Sequence, residues 1–459
     1  MGAGTTVYGG GRGLSRREII AGVGAATGLA LGVPARANAR PASADWKTTV
    51  HTFAPTWAQE WMQAVYDLTW RDTGGTALGT TPPNAARSYF YVTLAMYEAC
   101  VGGMPGHRSL GGQLSGLGAL PVPHGRIDWP VALASAALAT TQAVYPDALT
   151  SLTAPLVALR DRQVADRRAA GVSGDIVARS SAHGRAVAAA LAAWIATDGF
   201  AEINNRPYTP PVGEGLWEST PPNYRPAIEP YWAQIRPMVM RTSGEVRPVP
   251  HIPFSTVTGS AFWEQAMTPY RASQVLTDEQ RAIARFWTDN PINSGLPSGH
   301  WLLVVSQVGT QHRLDLGALL EALVRTGATL HEAFLSCWTH KYEINLIRPI
   351  TYIRRYVDPT WSTFINTPQF PEYTSGHSVS SMAAATVLTD LLGPLPVKDD
   401  SHRDRGMPAR QFASFNDIAL EAAQSRIYGG IHYPMAIENG KEHGREVGQI
   451  VIDRLHTRV

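Results

Sequence analysis

The reading of this chain turns on one stretch, Lys341-Tyr342-Glu343-Ile344-Asn345-Leu346-Ile347-Arg348-Pro349. Lys341 and Arg348 are seven residues apart, which on a helix puts both on one face, two turns from each other. Pro349 then ends the helix. Two cations at a helical C-terminus can be balanced by the helix dipole alone; they can also point at one anion. Working outward, helix-period patterning runs through most of the chain. In residues 84–100, Phe90, Leu94 and Tyr97 share a face, and in 175–195 so do Val187, Leu191 and Trp194, with Ser173 in the cap position. Residues 131–143 and 152–169 are rich in Ala and Leu, which favour helix. Two-residue alternation is hard to find. Residues 200–255 differ: Pro207, Pro210, Pro211, Pro221, Pro222, Pro226, Pro230, Pro237, Pro248, Pro250 and Pro253 leave little room for helix. That stretch is predicted to be a long loop anchored by Trp217, Tyr224, Tyr231 and Trp232, capping a site or joining domains. The expectation is an all-α fold of two helical-bundle halves, 40–255 and 256–459, with long Pro-rich loops and the chemistry in the C-terminal half.

Two further segments complete that chemistry. Thr374-Ser375-Gly376-His377 precedes a helical run at 378–392. A hydroxyl, a glycine and a helix N-terminus offer donors to an anion, although a Ser-Gly pair there is most often a cap. Ser425-Arg426-Ile427-Tyr428-Gly429-Gly430-Ile431-His432 adds a third cation and a second imidazole. Gly429-Gly430 also fits a plain bend between helices. Together, Lys341, Arg348 and Arg426 give three positive charges, Ser375 and Gly376 give neutral donors, and His377 and His432 give two imidazoles. That set suits a tetrahedral or trigonal-bipyramidal oxyanion.

Composition excludes several classes. The 459 residues carry 39 Lys and Arg against 37 Asp and Glu, and charged residues are only 17 %. A disordered chain needs more charge and less apolar content, and a nucleic-acid binder needs a basic excess. Two cysteines, Cys100 and Cys337, allow at most one bridge. His331 and Glu332 lack the second histidine of a zinc hydrolase helix, and no serine-hydrolase elbow or dinucleotide glycine pattern occurs. Residues 1–39 read as an export signal. Arg16-Arg17 precedes an apolar run from Ile19 to Val33, too short to span a bilayer, and Ala37-Asn38-Ala39 fits a cleavage site after Ala39. A twin-arginine type of route, an exported product and no membrane attachment after cleavage are expected.

The pattern Lys-x6-Arg-Pro, then Ser-Gly-His, then Ser-Arg-x5-His resembles the three-part signature of the acid phosphatase and vanadium haloperoxidase superfamily. Pro82-Pro83-Asn84-Ala85-Ala86-Arg87, Trp217-Glu218-Ser219-Thr220-Pro221-Pro222, Phe286-Trp287 and His300-Trp301 look like its bacterial haloperoxidase-type members, so the likeness covers most of the mature chain. It implies that vanadate, or phosphate in its place, is held by Lys341, Arg348, Ser375, Gly376, His377, Arg426 and His432. His432 would be the protein ligand to the metal and His377 the acid–base. Lys341 would polarise bound peroxide. Hydrogen peroxide, halide and a small organic acceptor are the implied partners, and a homo-oligomer is compatible with it. In the phosphatase alternative, His432 is the nucleophile and His377 protonates the leaving alcohol; a silent oxyanion binder is a third reading.

Three features qualify the resemblance. A literal Pro297-Ser298-Gly299-His300 lies upstream of Lys341, out of order, and is rejected as the anion loop; residue 374 is Thr where the pattern has Pro. The Asp expected four residues after His432 is Ala436, so another acceptor, such as a backbone carbonyl, must set the His432 tautomer. That gap counts against phosphatase action. Trp338 and Phe370 match the aromatic halide pocket of chloride-using members, though they also fit an ordinary core, and Asp289 is a candidate partner for Arg426.

Overall fold

The computed structural model describes residues 49–70, 80–146, 148, 150–222, 224–291 and 294–459; the expected export signal lies outside them. Fourteen helices account for most of the described chain: α1 Thr56–Trp70, α2 Pro82–Cys100, α3 Trp129–Val144, α4 Thr150–Ala169, α5 Gly174–Ile195, α6 Phe200–Ile203, α7 Ala261–Gln274, α8 Asp278–Phe286, α9 Leu296–Gln311, α10 Leu316–Ile344, α11 Pro349–Tyr356, α12 Gly376–Leu392, α13 Phe415–Tyr428 and α14 Pro434–Arg454. The expected all-α class holds. A short antiparallel pair, β1 Val397–Asp399 and β2 Arg410–Phe412, lies in the Pro-containing loop after α12.

Local chemistry starts these helices. Thr81, Asp128, Ser260, Asp315 and Ser414 each accept a backbone N–H of the first turn through the side chain, and Thr277 with Gln280 makes a reciprocal capping box. Proline opens α2, α3, α9, α11 and α14, where its missing N–H has no intrahelical partner to lose. The 29-residue α10 is buried along nearly its whole length and packs against α2, α9, α12 and α14. It therefore bridges the helices on either side of residue 255, all of which share one compact unit. Among the described residues, no helix is long and apolar enough to cross a membrane.

The Pro-rich stretch lies along α10 and the segment before α12; Trp217 and Trp232 are buried anchors, whereas Tyr224, also expected to anchor it, is largely exposed. The Trp217 N–H donates to Asn345 O at 2.8 Å, the Ile347 N–H to Gly215 O at 2.9 Å, and the Ile228 N–H to Gln369 O at 2.8 Å. The buried Glu332 carboxylate of α10 accepts three successive N–H groups, from Met238, Val239 and Met240, at 2.6, 3.0 and 3.3 Å. The strap thus covers the end of α10 that carries Lys341. Cys100 and Cys337 are both buried free thiols.

Candidate functional site

Lys341 lies in the last turn of α10, which stops at Ile344. Asn345 takes a left-handed conformation, φ 54 and ψ 40, with its N–H on Lys341 O at 2.8 Å. Asn tolerates that conformation better than most residues and closes the helix. Arg348 is not on α10 at all: it is the extended N-cap of α11, and Pro349 begins that helix. The expectation of one shared helix face is thus corrected. A chain reversal, rather than helical periodicity, brings the two cations near each other.

Both cations are fully buried. Lys341 Nζ donates to Pro371 O and Glu372 O at 3.0 Å each, and to Thr374 O at 2.5 Å. Burial lowers its pKa to about 8. Arg348 Nε donates to Phe370 O at 2.8 Å and Nη1 to Ile431 O at 2.9 Å. Its Nη2 is buried with no partner from the protein. Arg426, in the last turn of α13, donates to Ser425 Oγ at 2.9 Å and to Trp287 O. Burial brings both guanidinium groups down to about 10, which leaves them charged at neutral pH.

Ser375 is the N-cap of α12, and its Oγ accepts from Ser378 N–H and Ser378 Oγ–H. Gly376 opens that helix against the Trp338 ring, which lies 3.4 Å from where a Cβ would be. Trp338 and Phe370 are buried with ring centroids 4.7 Å apart. Lys341 Nζ is 5.1 Å and Arg348 Cζ 4.8 Å from the Phe370 centroid, within cation–π range. The two aromatics therefore wall the cationic pocket.

His432 follows the Gly429-Gly430 turn, where Gly430 takes φ 77 with Trp361 at 3.4 Å from a would-be Cβ. His432 Nδ1 lies 2.8 Å from Glu372 Oε1, which also accepts the Tyr433 N–H at 2.8 Å. A carboxylate at Nδ1 fixes the proton there. Nε2 then carries the lone pair, and it faces Arg348 Nη1 at 3.3 Å. Burial, then Arg348, Lys341, Arg426 and His377, hold the His432 pKa well below its usual value. These four groups therefore all act on His432. The partner that Ala436 cannot supply comes from Glu372, a side-chain carboxylate and not a backbone carbonyl; Ala436 O instead accepts the Ser375 N–H at 3.0 Å. Burial raises the Glu372 acid to about 7, against the pull of Arg348 and Lys341.

His377 sits at the first turn of α12, and its ring is 16 % exposed. Its Nε2 lies 3.8 Å from Asp289 Oδ2 and makes no hydrogen bond within the protein. Burial, then Arg426, keeps its pKa well below the usual value. Asp289 is not ion-paired to Arg426; its oxygens lie near His300, His377 and His402, and it acts on Arg426 only through its charge. Asp289, His300 and His402 offer ligand atoms within 4.8 Å of one another, a spacing compatible with an ion.

A family model described as the VCPO second helical-bundle domain matches residues 322–459, the part that holds Lys341, Arg348, Ser375, Gly376, His377, Arg426 and His432. A solved structure titled as the first bacterial vanadium-dependent iodoperoxidase matches at 33 % identity and a TM-score of 0.82, over 88 % of this chain and 97 % of that one. This chain belongs to the vanadium haloperoxidase superfamily. Holo and apo structures of a bacterial vanadium-dependent chloroperoxidase share its fold, each at 15 % identity and a TM-score of 0.63, over 84 % of this chain and 95 % and 97 % of theirs. No curated protein matches the chain by sequence. Sequence reasoning missed four carboxyl or imidazole groups in this superfamily member, Glu372, His300, Asp399 and His402. Glu372 has no motif position; its only signal is an acidic residue two places before the anion loop. His300 was set aside with the out-of-order Ser-Gly-His, and Asp399, its partner, lies in a two-strand hairpin with no motif at all.

Proposed function

We propose that this chain is a vanadate-dependent haloperoxidase, oxidising chloride or bromide with hydrogen peroxide to a hypohalous-acid-type halogenating species for a small organic acceptor. The observation that carries the reading is the unprotonated His432 Nε2, fixed by Glu372 at Nδ1, facing Arg348 Nη1 at 3.3 Å and lying in the field of Lys341, Arg348 and Arg426. The donor set fits vanadate: one imidazole for the metal, the unpartnered Arg348 Nη2 and Arg426 for its oxygens, Ser375 and the Gly376 N–H at the helix N-terminus, and Lys341 as a buried charge. Bound vanadate would supply Lewis-acid activation of peroxide with no change of oxidation state. The protein does the rest. His377 is kept neutral by burial and by Arg426, so it can accept a proton from peroxide. Trp338 and Phe370 make the wall against which a halide would approach.

The second reading, a phosphomonoesterase, gains from the Glu372–His432 pair, because a nucleophilic imidazole needs such a carboxylate. The absence of Asp at 436 therefore does not count against it. Purified protein loaded with vanadate should halogenate an activated diketone in peroxide with bromide or chloride; iodide is included because the 33 % identical relative is an iodoperoxidase. Hydrolysis of an aryl phosphate without halide oxidation would replace the proposal with the phosphatase, and anion binding with neither would leave a silent binder. Export belongs to the same proposal: secreted protein should begin at Arg40.

A further inference from the structure

Behind the anion pocket lies a buried cluster to which the chemistry above gives no task. Asp289, His300, Asp399 and His402 are all buried. They come from the α8–α9 connection, α9, β1 and the loop after β1. His300 Nδ1 is 2.9 Å from Asp289 Oδ2, and Nε2 is 2.8 Å from Asp399 Oδ2. Each ring nitrogen thus faces a carboxylate, and only the doubly protonated ring can donate to both. Burial alone would lower the pKa of this ring, but the two carboxylates outweigh it and raise it to about 10. Asp399 Oδ1 accepts the Ser401 N–H at 3.0 Å, which ties the far end of the cluster to the hairpin. At the near end, Trp287 stacks on His300 at 4.6 Å and 24° while its carbonyl accepts from Arg426. Asp289 holds φ 41, a left-handed backbone that a non-glycine residue keeps only when its surroundings fix it.

We propose that Asp399, His300 and Asp289 form a positioning chain for His377, in which the doubly hydrogen-bonded His300 fixes the carboxylate oxygen that faces the acid–base imidazole. This rests on the haloperoxidase reading for the task of His377. It does not rest on it for the geometry. The charged and titratable groups on the chain are Arg426, Asp289, His300 and His432 at His377, Asp289, Asp399 and His402 at His300, Arg405 at His402, and Tyr66, on which Asp289, Asp399 and Arg405 act. His300, rejected as part of an anion loop, becomes a support for the residue that the true loop carries.

The test uses the full chain labelled with nitrogen-15 histidine, with inorganic phosphate in the pocket. Wild-type protein should show one imidazole with both ring nitrogens protonated at pH 8.5, and that signal should be missing from a folded His300→Gln variant. The variant should keep its phosphate affinity and its KM for bromide. Its kcat should fall about tenfold, as for other disrupted supporting shells. The acid limb of its rate profile should move up by about one pH unit, because a positive charge near His377 is lost. Asp399→Asn, nearly isosteric, takes one carboxylate from His300 and should lower the pH at which its doubly protonated signal is lost; it serves if His300→Gln does not fold. A neutral His300 ring at pH 7 would overturn the proposal, as would a wild-type profile in a folded variant or recovery of a stoichiometric divalent ion with His300 as its ligand. A wild type that oxidises no halide would instead sink the functional reading, and the imidazole signal alone would then decide the geometry.

Discussion

Glu372 is where a single residue decides most. Its Oε1 receives both the His432 ring proton and the Tyr433 N–H. Glu372→Gln keeps the size but can offer its N–H₂ to Nδ1, which would push the ring proton to Nε2 and remove the lone pair from the pocket. Vanadate affinity should fall about 10- to 100-fold, read by equilibrium dialysis, with thermal stability near that of the wild type. His432→Ala should abolish vanadate binding while leaving phosphate a measurable cation-dominated affinity; stoichiometric vanadate in that variant would overturn the ligand assignment. The cations and imidazoles were legible from sequence because their types and order are chemically restrictive. Glu372 was not, because only the fold reveals that a carboxylate from before α12 can stand where one from α14 was expected. Asp289 was legible as a residue and misread as a partner: Arg426 turns Nε to Ser425 Oγ and Nη2 to Trp287 O, not to Asp289.

The elements that carry the pocket are held at close quarters. Gly444 of α14 lies against α12, and a Cβ there would sit 2.3 Å from Val379 O; one at Gly440 would come within 3.3 Å of Ser375 O. No side chain longer than hydrogen fits at 444 without separating the helices. Gly444→Ala should cost about 1–3 kcal/mol, seen as a lower denaturation midpoint. It should also weaken phosphate binding, since the start of α12 carries Ser375 and Gly376. An unchanged anion affinity in the destabilised variant would show that the loop is fixed from elsewhere. Periodicity located α2 and α5, whose apolar residues repeat at 3.6, and Ala and Leu content located α3, which is buried nearly all round. Periodicity failed at 341–349, where the left-handed Asn345 breaks what spacing alone reads as one helix. Glu332 gave the same kind of lesson: next to His331 it suggested only an incomplete metal motif, yet it clamps three N–H groups of the strap.

For the molecule as a whole, pH couples folding to anion capture. Buried Lys341 has a folded-state pKa of about 8 against an ordinary 10.5. Between those values the unfolded chain keeps the proton and the folded chain releases it, so this group's contribution to stability rises with pH across that window. Below about pH 8 the folded protein carries the charge and bears its desolvation cost, which a bound oxyanion offsets. Sulfate, whose own charge is constant over this range, should therefore bind more weakly as pH rises from 7 to 9, measured by calorimetry. At one hundred times its dissociation constant it should stabilise the fold by about 2.7 kcal/mol. A sulfate affinity that is flat across the window would mean that Lys341 keeps its proton throughout.

The ammonium of Lys341 is tied to three main-chain carbonyls, those of Pro371, Glu372 and Thr374. Removing it would take a donor from three buried acceptors at once and leave Thr374 O with only the Cys337 thiol, in the segment that also bears Glu372 and leads into the anion loop. Inactivity after Lys341→Ala is therefore ambiguous evidence about chemistry, since it reports a dismantled scaffold as readily as a missing charge.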